Sequence, residues 1–445
     1  MMQYQEAWTF LDNLQFFKIK LGLESMSQFL ESVGNPHRAL RFLHVAGTNG
    51  KGSVSTTLRE ILTRAGYRVG LYTSPHLSCV RERFRLDDRF ISEEEFARQA
   101  GVIREVLGER QITYFEFATA LALLWFAEEQ VDVAILEVGM GGRLDATNVV
   151  TPLVSVITNV SMDHEQYLGN TLAAVAYEKA GVIKPGVPVV AGVSADESLA
   201  VVEEVCRERK APLFLLGREF ATLRGEEGGW EYRGIDSSHS LTGLQCRLKG
   251  GYQIGNAALA LAALELVSGV LPVDGEAIRQ GLLSVAWPGR LEYFCLADGK
   301  QVECPAESAT DQTPTLRRYL LDGAHNPAGV ESLLDALVSE FSYVRLILVW
   351  GCMADKDVAA TLTAIAPLAD RIIFTRPESE RSATVAQLTA ILPEEDRAKA
   401  QGAATVAESL AMAADLADSG DLICVAGSLY LVGAARKILL GEVAP

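Results

Sequence analysis

The sequence predicts an α/β protein: an N-terminal P-loop-type domain built on a mainly parallel sheet, then a smaller Rossmann-like α/β domain. Three observations carry that expectation. Apolar runs of strand length alternate with helical segments up to about residue 216. A glycine-rich turn, Gly47-Thr48-Asn49-Gly50-Lys51-Gly52-Ser53, separates an apolar run from a helix-spaced one. Beyond a polar stretch at 297–316, a second series of strands and helices begins. Trp287-Pro288-Gly289-Arg290 breaks the preceding helix, so the domains are expected over 1–290 and 291–445.

Composition narrows the function. With 49% apolar and 22% charged residues, 445 residues can bury a core in each of two domains. A formal charge of −17 argues against a general nucleic-acid-binding surface, though not against a local basic pocket. The seven cysteines are scattered and lack C-x-x-C spacing, which suits a reducing cytoplasm and argues against a zinc knuckle or a disulfide scaffold. The polar N-terminus does not read as a signal peptide, and no apolar run reaches the ~18 residues of a membrane span. A cytoplasmic monomer is expected.

In chain order, residues 3–33 read as helical with a break at Leu21-Gly22-Leu23-Glu24. The strand 41–46 then feeds the glycine-rich turn. Glycines let backbone N–H groups approach phosphate oxygens, Lys51 adds a point charge, and the Ser53 hydroxyl reaches a phosphate or Mg²⁺. The common P-loop pattern wants glycine at 45 and a hydroxyl at 52, where Val45 and Gly52 stand. A strand at 68–73 ends in Ser74-Pro75-His76-Leu77; Ser74 is either a turn residue or a ligand at a strand's carboxyl end. The charged stretch 78–90 reads as a solvated excursion in which one arginine could face an anionic substrate. A helix is expected at 93–107. Thr113-Tyr114-Phe115-Glu116 leads into an apolar helix at 120–126, with Glu116 as its cap or beside a flat ligand.

The strand 131–139 carries Glu137 near its end, a carboxylate in an apolar run that needs a partner; Mg²⁺ shared with phosphates would be one, as in Walker-B acids, and a buried salt bridge another. Asp163-His164 follow the strand 153–158, where the histidine reads as structural or as a ligand. A helix at 171–180 holds Glu178-Lys179. Residues 217–250 look like antiparallel hairpins, followed by helices at 254–268 and 275–284. The second domain shows strands at 318–322, 345–350, 371–375 and 421–426, with helices between them.

The ordered motifs resemble one family, the folylpolyglutamate synthase/dihydrofolate synthase branch of the Mur ligases. They are His44 to Ser53, Tyr72 to Leu77, Tyr114 to Phe117, Leu136 to Asn148, Asp163-His164, Glu178 to Lys184, Pro288-Gly289-Arg290 and Leu321 to Pro327. The resemblance implies an ATP-dependent amide ligase that adds L-glutamate to dihydropteroate, a folate or both through an acyl phosphate. It implies that Gly47, Thr48, Asn49, Gly50, Lys51, Gly52 and Ser53 hold ATP phosphates, with Asn256 at adenine and Arg290 and Asp322 closing on ATP. Ser74, Glu137, His164 and a carbamylated Lys179 would serve two Mg²⁺ sites. Lys51, Glu137, Lys179 and His325 would carry the chemistry, His325 near the transferred phosphate. Leu21, Gly22, Leu23, Thr113, Tyr114, Phe115, Glu116, Leu144, Asp145 and Ala146 would line the pterin pocket. His37, His44 and His239 are expected to be structural.

Two departures stand out. Tyr252-Gln253 occupy the place where many members carry His-Gln, and 297–316, which reads as a loop or irregular hairpin, is longer than the usual connection. Two other readings compete. A cell-wall Mur ligase normally carries an extra N-terminal domain, for which the roughly 45 residues before the loop are too few. A P-loop switch or ATPase would release phosphate without a carboxylate or an amine.

Overall fold

An unbroken apolar strand needs cover on both faces, and helices supply it in both halves of this protein. The computed structural model describes residues 2–14, 22–225, 229–304, 315–379 and 381–441. The chain divides into two units, Met1–Arg247 with Gln253–Ala286, and Leu248–Tyr252 with Trp287–Ala444. Leu21 and residues 305–314 lie outside the described residues.

The first unit begins with α1 (Tyr4–Asn13), α2 (Glu24–Ser32), β1 (Phe42–Ala46), α3 (Lys51–Arg64), β2 (Val69–Tyr72), β3 (Phe84–Leu86) and β4 (Arg89–Phe90). It continues with α4 (Glu93–Leu107), α5 (Tyr114–Glu128), β5 (Val133–Glu137), β6 (Val154–Ile157), α6 (Glu165–Leu168), α7 (Leu172–Ala180), β7 (Val189–Ala191), α8 (Asp196–Glu208) and β8 (Leu213–Leu215). Then come β9 (Ala221–Arg224), β10 (Trp230–Arg233), β11 (Leu241–Leu244), α9 (Tyr252–Leu266) and α10 (Gly275–Ser284). The main sheet has the order β4-β3-β2-β5-β1-β6-β7-β8, parallel from β2 to β8. The expected hairpins at 217–250 are a separate antiparallel sheet, β11-β10-β9.

Successive residues of β1 serve opposite faces, as the strand period demands. Phe42 packs with Met26, Phe29 and Phe117 of α2 and α5, while Leu43 and Val45 pack with Val54, Leu58 and Leu261 of α3 and α9. Burying one such side chain contributes roughly 1.5–3 kcal/mol.

Two expectations need correction here. Residues 78–90 are not a solvated excursion: β3 pairs antiparallel with β2 and β4 antiparallel with β3, and Val80, Arg83, Phe84 and Leu86 are buried. Alternating apolar residues outweigh the charge density there: Phe84 and Leu86 enter the core, and the Arg85 guanidinium between them in sequence lies over the Phe90 ring. Helix α5 also starts earlier than expected, at Tyr114. Thr113 accepts from the Glu116 N–H at 3.1 Å and the Glu116 carboxylate accepts from the Thr113 N–H at 2.7 Å, a capping box that fixes the start.

The second unit contains β12 (Glu292–Ala297), β13 (Lys300–Val302), β14 (Arg317–Leu321), α11 (Pro327–Ser339), β15 (Leu346–Trp350), α12 (Val358–Ile365), β16 (Arg371–Phe374), α13 (Val385–Ile391), α14 (Glu394–Arg397), β17 (Ala400–Gly402), α15 (Val406–Leu416), β18 (Leu422–Ala426) and α16 (Leu429–Leu440). Its sheet order is β13-β12-β14-β18-β15-β16-β17, with β14 to β17 parallel. The start of the 297–316 stretch is a tight hairpin. Asp298 (φ +50°) and Gly299 (φ +72°) form its turn, the Asp-Gly pair such hairpins favour. Cys295 and Cys304 are joined there by a disulfide, which the scattered cysteine spacing did not suggest. Among the described residues, no helix is long and apolar enough to cross a membrane.

Candidate functional site

Sheet order decides which strand ends share an edge. β1 lies between β5 and β6, with Val45 opposite Glu137 and Ala46 opposite Ile157. β2 lies on the far side of β5, with Tyr72 opposite Leu136. The carboxyl ends of four strands therefore present Ser74, Glu137, the Gly47–Ser53 loop and the 158–164 segment side by side. A ligand crevice of an α/β sheet forms at such a switch in strand order.

The loop is held open by backbone that only glycine adopts readily. Gly47 has φ +145° and Gly50 φ +83°. A Cβ on Gly47 would lie 1.8 Å from Thr158 Oγ1, and one on Gly50 would lie 2.5 Å from Asn256 Oδ1. The 158–161 segment staples the loop from outside. Thr158 Oγ1 donates to the Asn49 carbonyl at 2.5 Å, the Asn49 N–H donates to Asn159 Oδ1 at 2.9 Å, and Thr48 Oγ1 exchanges two 3.0 Å hydrogen bonds with the Ser161 backbone. Thr158 and Asn159 were missed in the sequence, although a polar run right after a buried strand was a signal for them. Lys51 Nζ donates to the carbonyls of Gly47 and Thr48, each at 3.0 Å, so its charge lies over the loop. Asn256, expected at adenine, sits beside Gly50 and donates to Gln253 Oε1 at 2.9 Å.

A Gly47→Ala substitution is expected to weaken ADP binding by tenfold or more and to cost roughly 1–3 kcal/mol of stability, as overpacking does. Calorimetric titration with ADP checks this, and wild-type affinity would refute the loop geometry.

Next to the loop, Glu137 is 4% exposed and accepts a hydrogen bond from the Ser74 N–H at 3.2 Å. Lys179 of α7 is 3% exposed, and its amine is lowered to about 7 by burial first and by the Lys51 charge second, with Asp163 opposing. Lys51, Asp163 and Lys179 are thus within electrostatic reach of one another. His164 is exposed at the start of α6, its Nε2 3.9 Å from Asp163 Oδ2. Among the described residues, no three His, Cys, Asp or Glu side chains converge to hold a metal ion by themselves. The donor chemistry still fits Mg²⁺, a hard cation usually held by one or two carboxylates together with substrate phosphates. Glu137 would be one such carboxylate, and a carboxylated Lys179 a second. Ser53 is buried in the first turn of α3.

The candidate pterin residues separate into two groups. The Glu116 carboxylate takes the Thr113 N–H and also the Ser25 hydroxyl at 2.6 Å, which brings the start of α2, just after Gly22 and Leu23, to the start of α5. The helix-cap reading of Glu116 is therefore the one seen. Phe115 lies against the backbone of Gly139, where a Cβ would come within 2.4 Å of its ring. Leu144 is half-buried and Ala146 buried. Asp145 is turned inward: its oxygens accept from the N–H groups of Gly139, Met140 and Thr147, each at 3.0 Å, and from the Thr147 hydroxyl at 2.5 Å. Burial raises its carboxyl against the lowering effect of those bonds. Thr147 in turn meets His44 Nε2 at 2.8 Å, and burial holds that imidazole down at about 3. Asp145 thus shapes the turn after β5, and His44 is a neutral core residue, as expected. His76 is also neutral: burial first, then the Arg83 charge, hold it down at about 3.

In the second unit, Asp322 accepts from the N–H groups of Leu291 at 2.8 Å and Ala324 at 2.9 Å, and burial raises its carboxyl while the Arg290 charge opposes. A Cβ on Gly323 would lie 2.7 Å from Arg290 Nη1. His325 Nδ1 is 2.7 Å from the Gly323 carbonyl. The segments around Arg290 and 322–325 therefore meet within this unit.

Residues 45–264 match the Mur ligase middle domain, and residues 310–429 match the Mur ligase glutamate ligase domain. The chain is 33% identical over 448 residues to the dihydrofolate synthase/folylpolyglutamate synthase of Bacillus subtilis, covering 98% of this chain and 99% of that protein. It is 36% identical over 462 residues to a probable bifunctional folylpolyglutamate synthase/dihydropteroate synthase of Haloferax volcanii, and it spans about half (51%) of that relative. Among solved structures, E. coli FolC in complex with DHPP and ADP superposes with a TM-score of 0.86 at 33% identity, covering 99% of each chain. A bifunctional folylpolyglutamate synthase/dihydrofolate synthase with Mn, AMPPNP and L-glutamate bound superposes with a TM-score of 0.84 at 32% identity, covering 98% of each chain.

Proposed function

The chain belongs to the folylpolyglutamate synthase/dihydrofolate synthase family of Mur ligases, and from that premise we propose that it is an ATP-dependent ligase adding L-glutamate to dihydropteroate, to a folate, or to both. The observation that carries this reading is the shared strand edge, where a phosphate-type loop adjoins a buried carboxylate, with the buried Lys179 within electrostatic reach of Lys51.

A carboxylate is a poor electrophile, so it must be activated before an amine attacks. An oxygen of the pterin-linked carboxylate attacks the γ-phosphorus of ATP, the bond from that phosphorus to the β–γ bridging oxygen breaks, and ADP leaves. The amine nitrogen of glutamate then attacks the acyl carbon, the carbon–oxygen bond to phosphate breaks, and the nitrogen loses its extra proton. The N–H groups and Lys51 of the Gly47–Ser53 loop stabilise charge on the phosphate oxygens, and the loop holds ATP in line with the carboxylate. Magnesium supplies positive charge for those phosphates when bound, and Ser74, Glu137, His164 and a carbamylated Lys179 are the residues that would hold it at two sites. Asn256 is assigned to the adenine. Arg290 and Asp322 are assigned to ATP, and His325 to the transferred phosphate. Gly22, Leu23, the Thr113–Glu116 segment, Leu144, Asp145 and Ala146 are assigned to the pterin. The protein works on small molecules as a cytoplasmic monomer.

Phosphate release from ATP and Mg²⁺, measured with the pterin substrate and the amino acid omitted in turn, tests the reading. Release is expected only when a pterin-linked acid and glutamate are both present. Release that needs neither would replace the ligase with an ATPase switch. Comparing dihydropteroate with tetrahydrofolate in the same assay assigns one or both reactions.

A further inference from the structure

We propose that Arg83 is the receptor for the carboxylate of the pterin-linked substrate, an inference that rests on the ligase reading above. Arg83 is only 4% exposed. Its Nε–H donates to His76 Nδ1 at 2.9 Å, and its guanidinium carbon lies 5.3 Å from the centre of the Tyr114 ring. A guanidinium stays protonated in proteins, and a buried charge is costly unless an opposite charge meets it. Neither of these neighbours supplies one, since an imidazole carries no negative charge and Tyr114 offers a ring face. Among the described residues, no Asp or Glu forms an ion pair with Arg83. Arg59, buried to 1% exposure, is treated differently: it pairs with both Glu60 and Asp88.

The position of Arg83 says which anion fits. Its carbonyl accepts from the Thr73 N–H at 3.0 Å, which fixes it next to Ser74, whose own N–H meets Glu137. On its other side, Tyr114 belongs to the Thr113–Glu116 segment assigned to the pterin. Arg83 therefore stands between the phosphate end of the site and the pterin end, where the acid group of a pterin-linked acid has to lie. The fork of a guanidinium matches a carboxylate in a bidentate pair, and a lysine would keep the charge without the fork.

Calorimetric titration with ADP and Mg²⁺ present tests this with two probes, pteroate and its decarboxylated counterpart. Wild type is expected to bind pteroate at least tenfold more tightly than the decarboxylated compound. Arg83→Gln should lose tenfold or more for pteroate and stay within twofold of wild type for the decarboxylated probe. Arg83→Lys should lose threefold or more for pteroate alone, and it carries the test if the glutamine variant shows no cooperative melting. Equal losses for both probes would make Arg83 a prop for the 73–83 turn and overturn the proposal, as would unchanged pteroate binding. Turnover of wild type with ATP, glutamate and, in turn, dihydropteroate and tetrahydrofolate is measured alongside. If turnover is present but the two probes do not diverge, only the Arg83 assignment falls; if turnover is absent, the ligase reading itself falls.

Discussion

Replacing Lys51 with alanine is expected to abolish ATP-dependent glutamate addition while leaving the fold intact. The fold survives because Lys51 is half-buried at the first position of α3 and its amine donates to two carbonyls of its own loop, groups that water can serve. Activity does not survive because that amine is the charge the loop brings to the phosphates. Losing one preorganised donor at a developing charge costs about 10²–10³ in rate, and losing a full positive charge should cost at least that. A secondary effect has a definite sign. The Lys51 charge helps to lower the Lys179 amine, so removing it lets that amine rise and leaves less of it neutral near pH 7. Glutamate incorporation and thermal melting of the variant check both halves. Near-wild-type synthesis would place the phosphates elsewhere.

Replacing Lys179 with methionine is expected to reduce synthesis by about a hundredfold or more, the scale of a lost group that orients charge at the phosphates. The physical case starts from burial. Addition of CO₂ needs a neutral amine; with its amine at about 7, roughly half of Lys179 is neutral at pH 7, against about one in 3,000 for an ordinary lysine. Carbamylation exchanges a buried cation beside Lys51 for an anion, which the neighbouring charge favours. Activity of wild type should therefore rise from pH 6 to 8 and with added bicarbonate. Stability gives a second readout. The folded amine titrates near 7 and the unfolded one near 10.5, so between those values the unfolded chain binds more protons. Stability thus gains from this group as pH rises through that window, and the methionine variant should lack that gain. A ¹³C carbamate signal on protein held under labelled CO₂ is the direct check. Its absence, together with full activity in the methionine variant, would remove Lys179 from the site.

Much of this was legible before any coordinates. The loop lay between an apolar strand and a helix-spaced run, and glycine, lysine and hydroxyl fell together there. Glu137 was conspicuous because a carboxylate at the end of an apolar strand needs a partner. Helices α4 and α10 were read with their observed bounds, since capping residues and a 3.6-residue period are local signals. The 78–90 segment was misread because its charge density looks solvated in composition, while Val80, Phe84 and Leu86 become core residues only once β3 pairs with β2. Residues 297–316 were read as a loop or irregular hairpin, and the Asp298-Gly299 turn makes the start of that stretch a hairpin.

What the sequence determined by itself is the fold class, the family and the glycine-rich loop, because each rests on short local motifs read in order along the chain. Tertiary structure decided which of the separate motifs are neighbours. Sheet order placed Glu137 against the loop and the 158–161 segment outside it. Packing tied the Asp145 carboxylate to the turn after β5, lowered the Lys179 amine to about 7, and left Arg83 buried between His76 and Tyr114. Desolvation and charge proximity are properties of neighbours distant in sequence, so no local pattern encodes them.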